Sequence, residues 1–308
     1  MNIRDKFVGA LVGTGVGDAL GSHFEGWSFS STIELSLEDI LSRYSGIYTD
    51  DTEMMIVLAE SIVKEKGLKA STFIKELAAR FNPGRGYGYG TSTVLKMVRK
   101  GADWREAAHI VFESGFYGNG GCIRVAPVSL AYYDDEKLLL KAAEYSCIVT
   151  HSHPLAVEGC RLQAYAIGLA LKGLDRRDIL KALLKLAESE VYSRKLSSIE
   201  ELLRKGASLG EAVHTLKNWG SAPDSVPLAL YLFLNSEDFE SAVIDAVRCG
   251  GDTDSIAAMV GAIAGAYYGS NNIPLNLAEK LEDVNKITGL ADSIWRLKIE
   301  KKIKEPIV

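Results

Sequence analysis

Gly250-Gly251-Asp252-Thr253-Asp254-Ser255 opens the most apolar segment of the chain, Ile256-Ala-Ala-Met-Val-Gly-Ala-Ile-Ala-Gly-Ala-Tyr-Tyr268. A segment apolar on every face belongs inside a protein, so it reads as a buried helix. Two carboxylates stand at its entrance. A second acidic stretch, Thr49-Asp50-Asp51-Thr52, opens another apolar run, Met54 to Val63, about 200 residues earlier. Only the fold can bring the two together.

The chemistry suggested is a metal site. Hard divalent cations take oxygen ligands, and Mg²⁺ demands near-octahedral geometry. Asp50, Asp51, Asp252 and Asp254, with hydroxyl neighbours, offer oxygens for one or two such ions. In an ideal helix Asp252 and Asp254 would diverge by roughly 200°. Gly250 and Gly251 permit an irregular first turn from which both could reach neighbouring ions. The alternative for each single Asp is a helix cap. One helix start needs one cap, however, and the excess of carboxylates occurs twice.

Working outward, Gly9, Gly13, Gly17 and Gly21 recur every fourth residue and form a stripe on the first helix. Each Gly costs about 1 kcal/mol relative to Ala in a helix. Close backbone packing against Ala258, Gly261, Ala262 and Gly265 would account for it. Asp18 to Trp27 reads as a polar turn leaving that helix, with Glu25 either a carboxylate on a loop over the site or a solvated loop residue. Helical periods follow over Ser71–Phe81, Thr93–Arg99, Cys122–Tyr133, Glu136–Val149, Ala156–Leu171, Val226–Leu234, Phe239–Val247, Leu275–Val284 and Leu290–Lys301. Asp103 with Glu106, Ser198 with Glu201, and Ser208 with Glu211 have capping-box spacing. Pro83 to Gly90 and Gly115 to Gly121 are Gly-rich loops. The second could expose backbone N–H groups to an anion, or be a flexible turn. Arg124 reads as a buried tether for a carboxylate. His151 and His153 could contact a ligand or be structural. Period-two alternation is almost absent, so the expectation is an all-α fold in a single domain, residues 1–308.

Composition narrows the classes. The 308 residues are 47% hydrophobic and 24% charged, with a net charge of −5, so no general attraction to nucleic acid or an anionic membrane is expected. No run reaches the ~18 apolar residues of a membrane span. Phe7 to Gly17 imitates a signal peptide but lacks a cleavage site, and reads as a mature helix. Cys122, Cys147, Cys160 and Cys249 contain no C-x-x-C pair, which favours a reducing, cytoplasmic setting.

Taken together, the motifs resemble the ADP-ribosylglycohydrolase family, which includes the dinitrogenase-reductase-activating glycohydrolases and the ADP-ribosylhydrolases. The matching pieces are Gly17 to Gly21 with Glu25, Thr49 to Thr52, Gly86-Tyr-Gly88 with Thr91, Tyr117 to Gly121 with Arg124, Thr150-His151, and Gly250 to Ser255. The resemblance implies a compact all-helical fold with a cleft for two Mg²⁺ or Mn²⁺ ions. Thr49, Asp50, Asp51, Asp252, Asp254 and Ser255 match metal ligands, Ser255 standing where Thr is frequent. Glu25 matches a mobile acidic residue. Gly115, Phe116, Tyr117, Gly118 and Asn119 match a loop that holds the diphosphate and distal ribose, and His151 a ligand-contacting His. Phe116 occupies a position that is often small or polar.

The implied reaction is metal-dependent hydrolysis of the bond between ribose C1 of ADP-ribose and an acceptor: Arg, Ser, another ADP-ribose or an acetyl ester. Glu25 and Asp51 are the candidates for proton handling. The implied partner is an ADP-ribose-containing substrate, such as an ADP-ribosylated protein, acted on by a monomer. Two other readings stand beside it: a dimetal nucleotide phosphohydrolase, and a non-catalytic ADP-ribose-binding relative.

Overall fold

A computed structural model describes residues 2–110 and 115–308. The N-terminal helix Ile3–Gly21 lies along the helix Thr253–Tyr268, backbone against backbone. A Cβ added to Gly9 or Gly13 would stand 2.3 Å from the carbonyl oxygen of Gly265 or Gly261 respectively. At Gly17 the distance to the Ala257 oxygen would be 2.0 Å, and at Gly21 the Thr253 oxygen would be 2.4 Å away. The glycine stripe is thus used as the sequence suggests, but its partner row is Thr253, Ala257, Gly261 and Gly265. Those positions form one i, i+4 ridge, which is the row a packed helix presents. Ala258 and Ala262 lie off that ridge.

Around this pair pack Phe239–Arg248, Pro154–Lys172 and Ala222–Asn235, while Asp50–Glu65 and Val284–Ile299 cover the other side. The buried apolar residues form one cluster reaching from Phe7 to Ile294. Among the described residues there are isolated bridges, Lys69 to Ile307 and Gly118 to Ser221, but no strand. No helix among them is long and apolar enough to cross a membrane. All four cysteines are buried free thiols.

Several boundaries differ from the sequence pattern. Asp18 to Gly21 stays helical, because the glycine stripe continues its packing to Gly21. The run Cys122–Tyr133 divides into Gly120–Ile123 and Ala126–Tyr132. Pro127 cannot donate the i→i−4 bond and its ring crowds that carbonyl, so it sits in the first turn of the second helix, where no such bond is needed. Ser198 and Glu201 lie inside the helix Glu190–Lys205, which Ser189 caps. Its buried stripe Tyr192, Leu196, Ile199 and Leu202 outweighs a local cap signal. The Ser208–Glu211 box forms. Asp103 accepts from the Arg105 N–H at 2.9 Å. The run Leu275–Val284 stops at Lys280, and Val284–Ile299 begins after Asp283, which has φ 56°. The amphipathic helix Arg176–Leu186 went unread in the sequence.

Candidate active site

The paired central helices carry Asp18 to the start of the helix Asp50–Glu65. Asp18 is fully buried. Its carboxylate accepts the Thr49 N–H at 3.0 Å, the Thr52 N–H at 3.0 Å and the Thr52 hydroxyl at 2.6 Å. It therefore fixes the Thr49–Thr52 turn from behind. The sequence pattern alone puts Asp18 in a polar turn. The available signal was a carboxylate inside an apolar, glycine-striped helix with no basic residue one turn away in its own helix.

The capping alternative now separates residue by residue. Thr49 is a cap: its Oγ1 accepts the Asp51 N–H at 3.3 Å. Asp252 occupies the cap position of the helix Thr253–Tyr268 yet makes no capping bond. Its Oδ2 instead accepts Asn119 Nδ2 at 2.6 Å. Asp254 Oδ1 accepts the Ser255 N–H at 2.8 Å, and the Ser255 hydroxyl donates to Asp51 Oδ2 at 3.1 Å. The two acidic helix starts therefore meet.

Glu25 joins them. The Gly26 N–H donates to Gly251 O and the Gly251 N–H to Trp27 O, both at 2.8 Å. This double bond between loops sets the Glu25 carboxylate beside those of Asp252 and Asp254, with ligand oxygens within 4.8 Å of one another. Gly251 has φ 74°, and a Cβ there would stand 2.2 Å from Asn218 O, so the turn requires glycine. The Glu25 residue itself is exposed, on a loop whose Phe24 and Trp27 rings pack edge to face at 5.5 Å.

Among the ion pairs of the described residues, none involves Asp18, Glu25, Asp50, Asp51, Asp252 or Asp254. The carboxyls consequently titrate high. Burial, then Asp50, Asp254, Asp18 and Asp252, hold Asp51 well above the usual carboxylate range. Burial, then Asp252, Glu25 and Asp18, do the same to Asp254. Burial and the neighbouring Asp18 push Asp50 up to about 8. Asp252, Asp18 and Glu25 are raised as well, burial leading in each. Five converging carboxylates, of Glu25, Asp50, Asp51, Asp252 and Asp254, without a cationic partner among the described residues, fit a hard divalent cation, which supplies the missing positive charge to oxygen donors.

The five carboxylates line a cavity of about 200 Å³. Thr49, Asp50, Asp51, Asp252, Asp254, Ser255 and Glu25 all reach it, as do Gly86, Gly88 and Thr91. Phe116, Gly118, Asn119, Gly120 and His151 line the same cavity. Gly115 and Tyr117 are not in that lining. Gly115, at φ 84°, packs on the backbone at Ser152 and His153, and half-exposed Tyr117 packs edge-on against His153 at 5.5 Å. The Phe116 ring stacks on His151 at 4.8 Å. Asn119 is committed to Asp252 and to Ser225 Oγ, the latter at 3.1 Å. It ties the loop to the acidic cluster.

Arg124 departs from expectation. It is completely buried, but its Nη2 donates to Ser146 O and Thr150 Oγ1, each at 2.7 Å, and among the described residues no carboxylate meets it. Its charge lies 5.2 Å over the Phe73 ring. Thr150 Oγ1 in turn lies 2.8 Å from His151 Nδ1. Burial, then Arg124, push His151 well below the usual imidazole range, so the ring is neutral near pH 7. A second groove of about 610 Å³, lined by Trp27, Phe29, Asn218 and Trp219, shares Glu25, Gly220 and Asp252 with the first. Trp219 is 64% exposed there, and nothing in the sequence pattern singled it out.

Comparison with known proteins agrees with this geometry. A family profile described as ADP-ribosylglycohydrolase matches residues 1–303. The chain is 32% identical to ADP-ribosylhydrolase ARH3 of Mus musculus, over 95% of this chain and 91% of that protein. It is 32% identical to the Homo sapiens ARH3 over 95% and 93%. ADP-ribosylarginine hydrolase Tri1 of Serratia proteamaculans is 26% identical over 96% of this chain and 81% of its own. A solved structure titled ADP-ribosylglycohydrolase-related protein complex superposes with a TM-score of 0.80 at 27% identity, covering 96% of this chain and 98% of that one.

Proposed function

Because the chain belongs to the ADP-ribosylglycohydrolase family, we propose that it is a hydrolase that splits the glycosidic bond between ADP-ribose and an acceptor. One observation carries the reading. Five carboxylates, of Glu25, Asp50, Asp51, Asp252 and Asp254, converge in the same cleft as the Phe116–Gly120 loop and His151. A purely structural acidic cluster would have no reason to sit beside such a loop.

Thr49, Asp50, Asp51, Asp252, Asp254 and Ser255 would hold one or two Mg²⁺ or Mn²⁺ ions. Such ions, when bound, supply Lewis acidity toward substrate oxygens and a lowered water pKa. The protein's own residues do the rest. Among the described residues the cleft lining holds no Lys or Arg, so a diphosphate there would rely on neutral donors: the loop around Gly118 and the His151 ring. Glycosidic bonds break through an oxocarbenium-like transition state, and the acidic lining of the cleft suits positive charge developing at ribose C1. In this reading Glu25 and Asp51 move protons between acceptor and water, and their raised pKa values support it.

The test is product identity. Incubation with Mg²⁺ or Mn²⁺ and a panel of Arg-, Ser-, acetyl-linked and polymeric ADP-ribose should release free ADP-ribose from at least one member. Release of AMP or phosphate would make the protein a phosphohydrolase, and no product from any substrate would make it a binding relative.

A further inference from the structure

The buried chain Arg124, Thr150 and His151 is not accounted for by packing alone. A fully buried guanidinium is costly to desolvate, and among the described residues this one donates to Ser146 O, to the Thr150 hydroxyl and, through Nη1, to Met54 Sδ at 3.4 Å. Its effect is read from the donors and acceptors. Arginine only donates, so Thr150 Oγ1 accepts at the 2.7 Å contact with Nη2. Thr150 is also completely buried. Its own hydroxyl proton needs an acceptor, since an unsatisfied buried donor is expensive. The acceptor within reach is His151 Nδ1 at 2.8 Å.

We propose that Arg124 and Thr150 are positioning residues that lock His151 in the Nε2–H tautomer, so that the ring presents a hydrogen-bond donor to the cleft. Nδ1, receiving the Thr150 proton, holds none of its own. The one proton of the neutral ring then sits on Nε2. That nitrogen abuts the ligand loop: Cβ atoms built on Gly118 and Gly120 would lie 3.3 and 3.2 Å from it. Phe116, stacked on the ring face, keeps the ring plane fixed. Without the guanidinium, the Thr150 hydroxyl could equally accept from Nδ1–H, and Nε2 would become an acceptor that repels anionic oxygen. The ligand recognised at this point is therefore an oxygen acceptor, such as a phosphate or ribose oxygen. The inference rests on the proposed function only in taking the cleft as the ADP-ribose site.

Two-bond ¹⁵N–¹H correlation on labelled protein reads the tautomer directly, with the His151 signal assigned by its loss in His151→Gln. At neutral pH the wild type should show Nδ1 unprotonated and Nε2 protonated. A proton on Nδ1, or an imidazolium, overturns the proposal without any variant. Thr150→Val, which removes the hydroxyl at constant shape, should mix the tautomers and weaken ADP-ribose binding about three- to tenfold. Thr150→Ser should restore both. A folded Thr150→Val protein with wild-type spectrum and affinity overturns the relay. If the wild type binds no ADP-ribose at all, the functional reading fails, while the wild-type spectrum still decides the tautomer.

Discussion

The Ser255 hydroxyl donates to Asp51 Oδ2 at 3.1 Å, a direct bond between two helix starts 204 residues apart. It is one of few attractive contacts in a cluster whose members otherwise repel. Such a cluster stores electrostatic strain that a bound cation would release, and stability should report this.

Without metal, the protein should lose stability as pH rises. The folded-state values of Asp51, Asp254 and Asp50 lie above the ordinary carboxylate range. Between the unfolded and folded values the folded protein holds protons that the unfolded chain has released. The contribution of these groups is thus complete below about pH 4 and declines as pH rises through the folded values. Asp50, pushed up to about 8, extends the window to that pH. Each proton so held gives a slope of at most about 1.4 kcal/mol per pH unit. Thermal melts of chelator-treated protein should show a lower Tm at pH 8 than at pH 5, and Mn²⁺ should raise the pH 8 value. Equal melting at both pH values, with no response to Mn²⁺, would refute the cluster as a cation site.

The glycine ridge should tolerate no methyl group. Gly13→Ala puts a Cβ 2.3 Å from Gly261 O, so backbones must part. The expected loss is about 1–3 kcal/mol, the usual result of overpacking. Gly289, inside the helix Val284–Ile299, has nothing within 4 Å of its Cβ position. Gly289→Ala should therefore gain roughly 0.5–1 kcal/mol from helix propensity. Denaturant melts of the two variants should move in opposite directions.

Asp18 should matter to metal binding without lining the cavity. In Asp18→Asn, the amide nitrogen must face one of the three donors that the carboxylate now accepts from Thr49 and Thr52. The Thr49–Asp51 turn then shifts. Loss of such supporting contacts typically costs roughly 10–100-fold in metal affinity or activity. Calorimetric titration with Mn²⁺ checks it, and an unchanged affinity would confine Asp18 to a structural role.

How far the sequence carried this reading depended on the kind of signal. The apolar run Ile256–Tyr268 and the glycines four apart are periodic, so the central helix pair was legible, though its partner row Thr253, Ala257, Gly261 and Gly265 was only half so. The acidic motifs were legible because two carboxylates at one helix start exceed capping needs. What escaped reading is set by contacts remote in sequence. Nothing local tells that Asp18 points at Thr52, that Asn119 is taken by Asp252, or that Arg124 serves a threonine where a carboxylate was expected. The Ser198–Glu201 spacing misled because a buried stripe outweighs a local cap.

Glu25 should act on the reaction more than on metal binding. Its loop is held to Gly251 by two backbone bonds, which sets the carboxylate next to Asp252 and Asp254. Yet the residue is exposed and its backbone lies outside both acidic helix starts, where a side chain can swing as substrate enters. Burial of the carboxyl group, then Asp252 and Asp18, raise its pKa, which moves it toward the range useful for proton transfer near neutral pH. Trp27, two residues on, lines the adjacent groove that Glu25 also reaches. A residue transferring protons contributes ~10²–10⁴-fold to rate, whereas a direct ligand also contributes to metal affinity. Glu25→Gln should accordingly lower kcat by about 10²–10⁴-fold and leave Mg²⁺ and ADP-ribose affinities within a few-fold of wild type. The three quantities should be measured on one preparation. A variant that loses Mg²⁺ together with activity makes Glu25 a ligand and moves the proton-transfer role to Asp51. A variant with unchanged kcat removes Glu25 from the chemistry altogether.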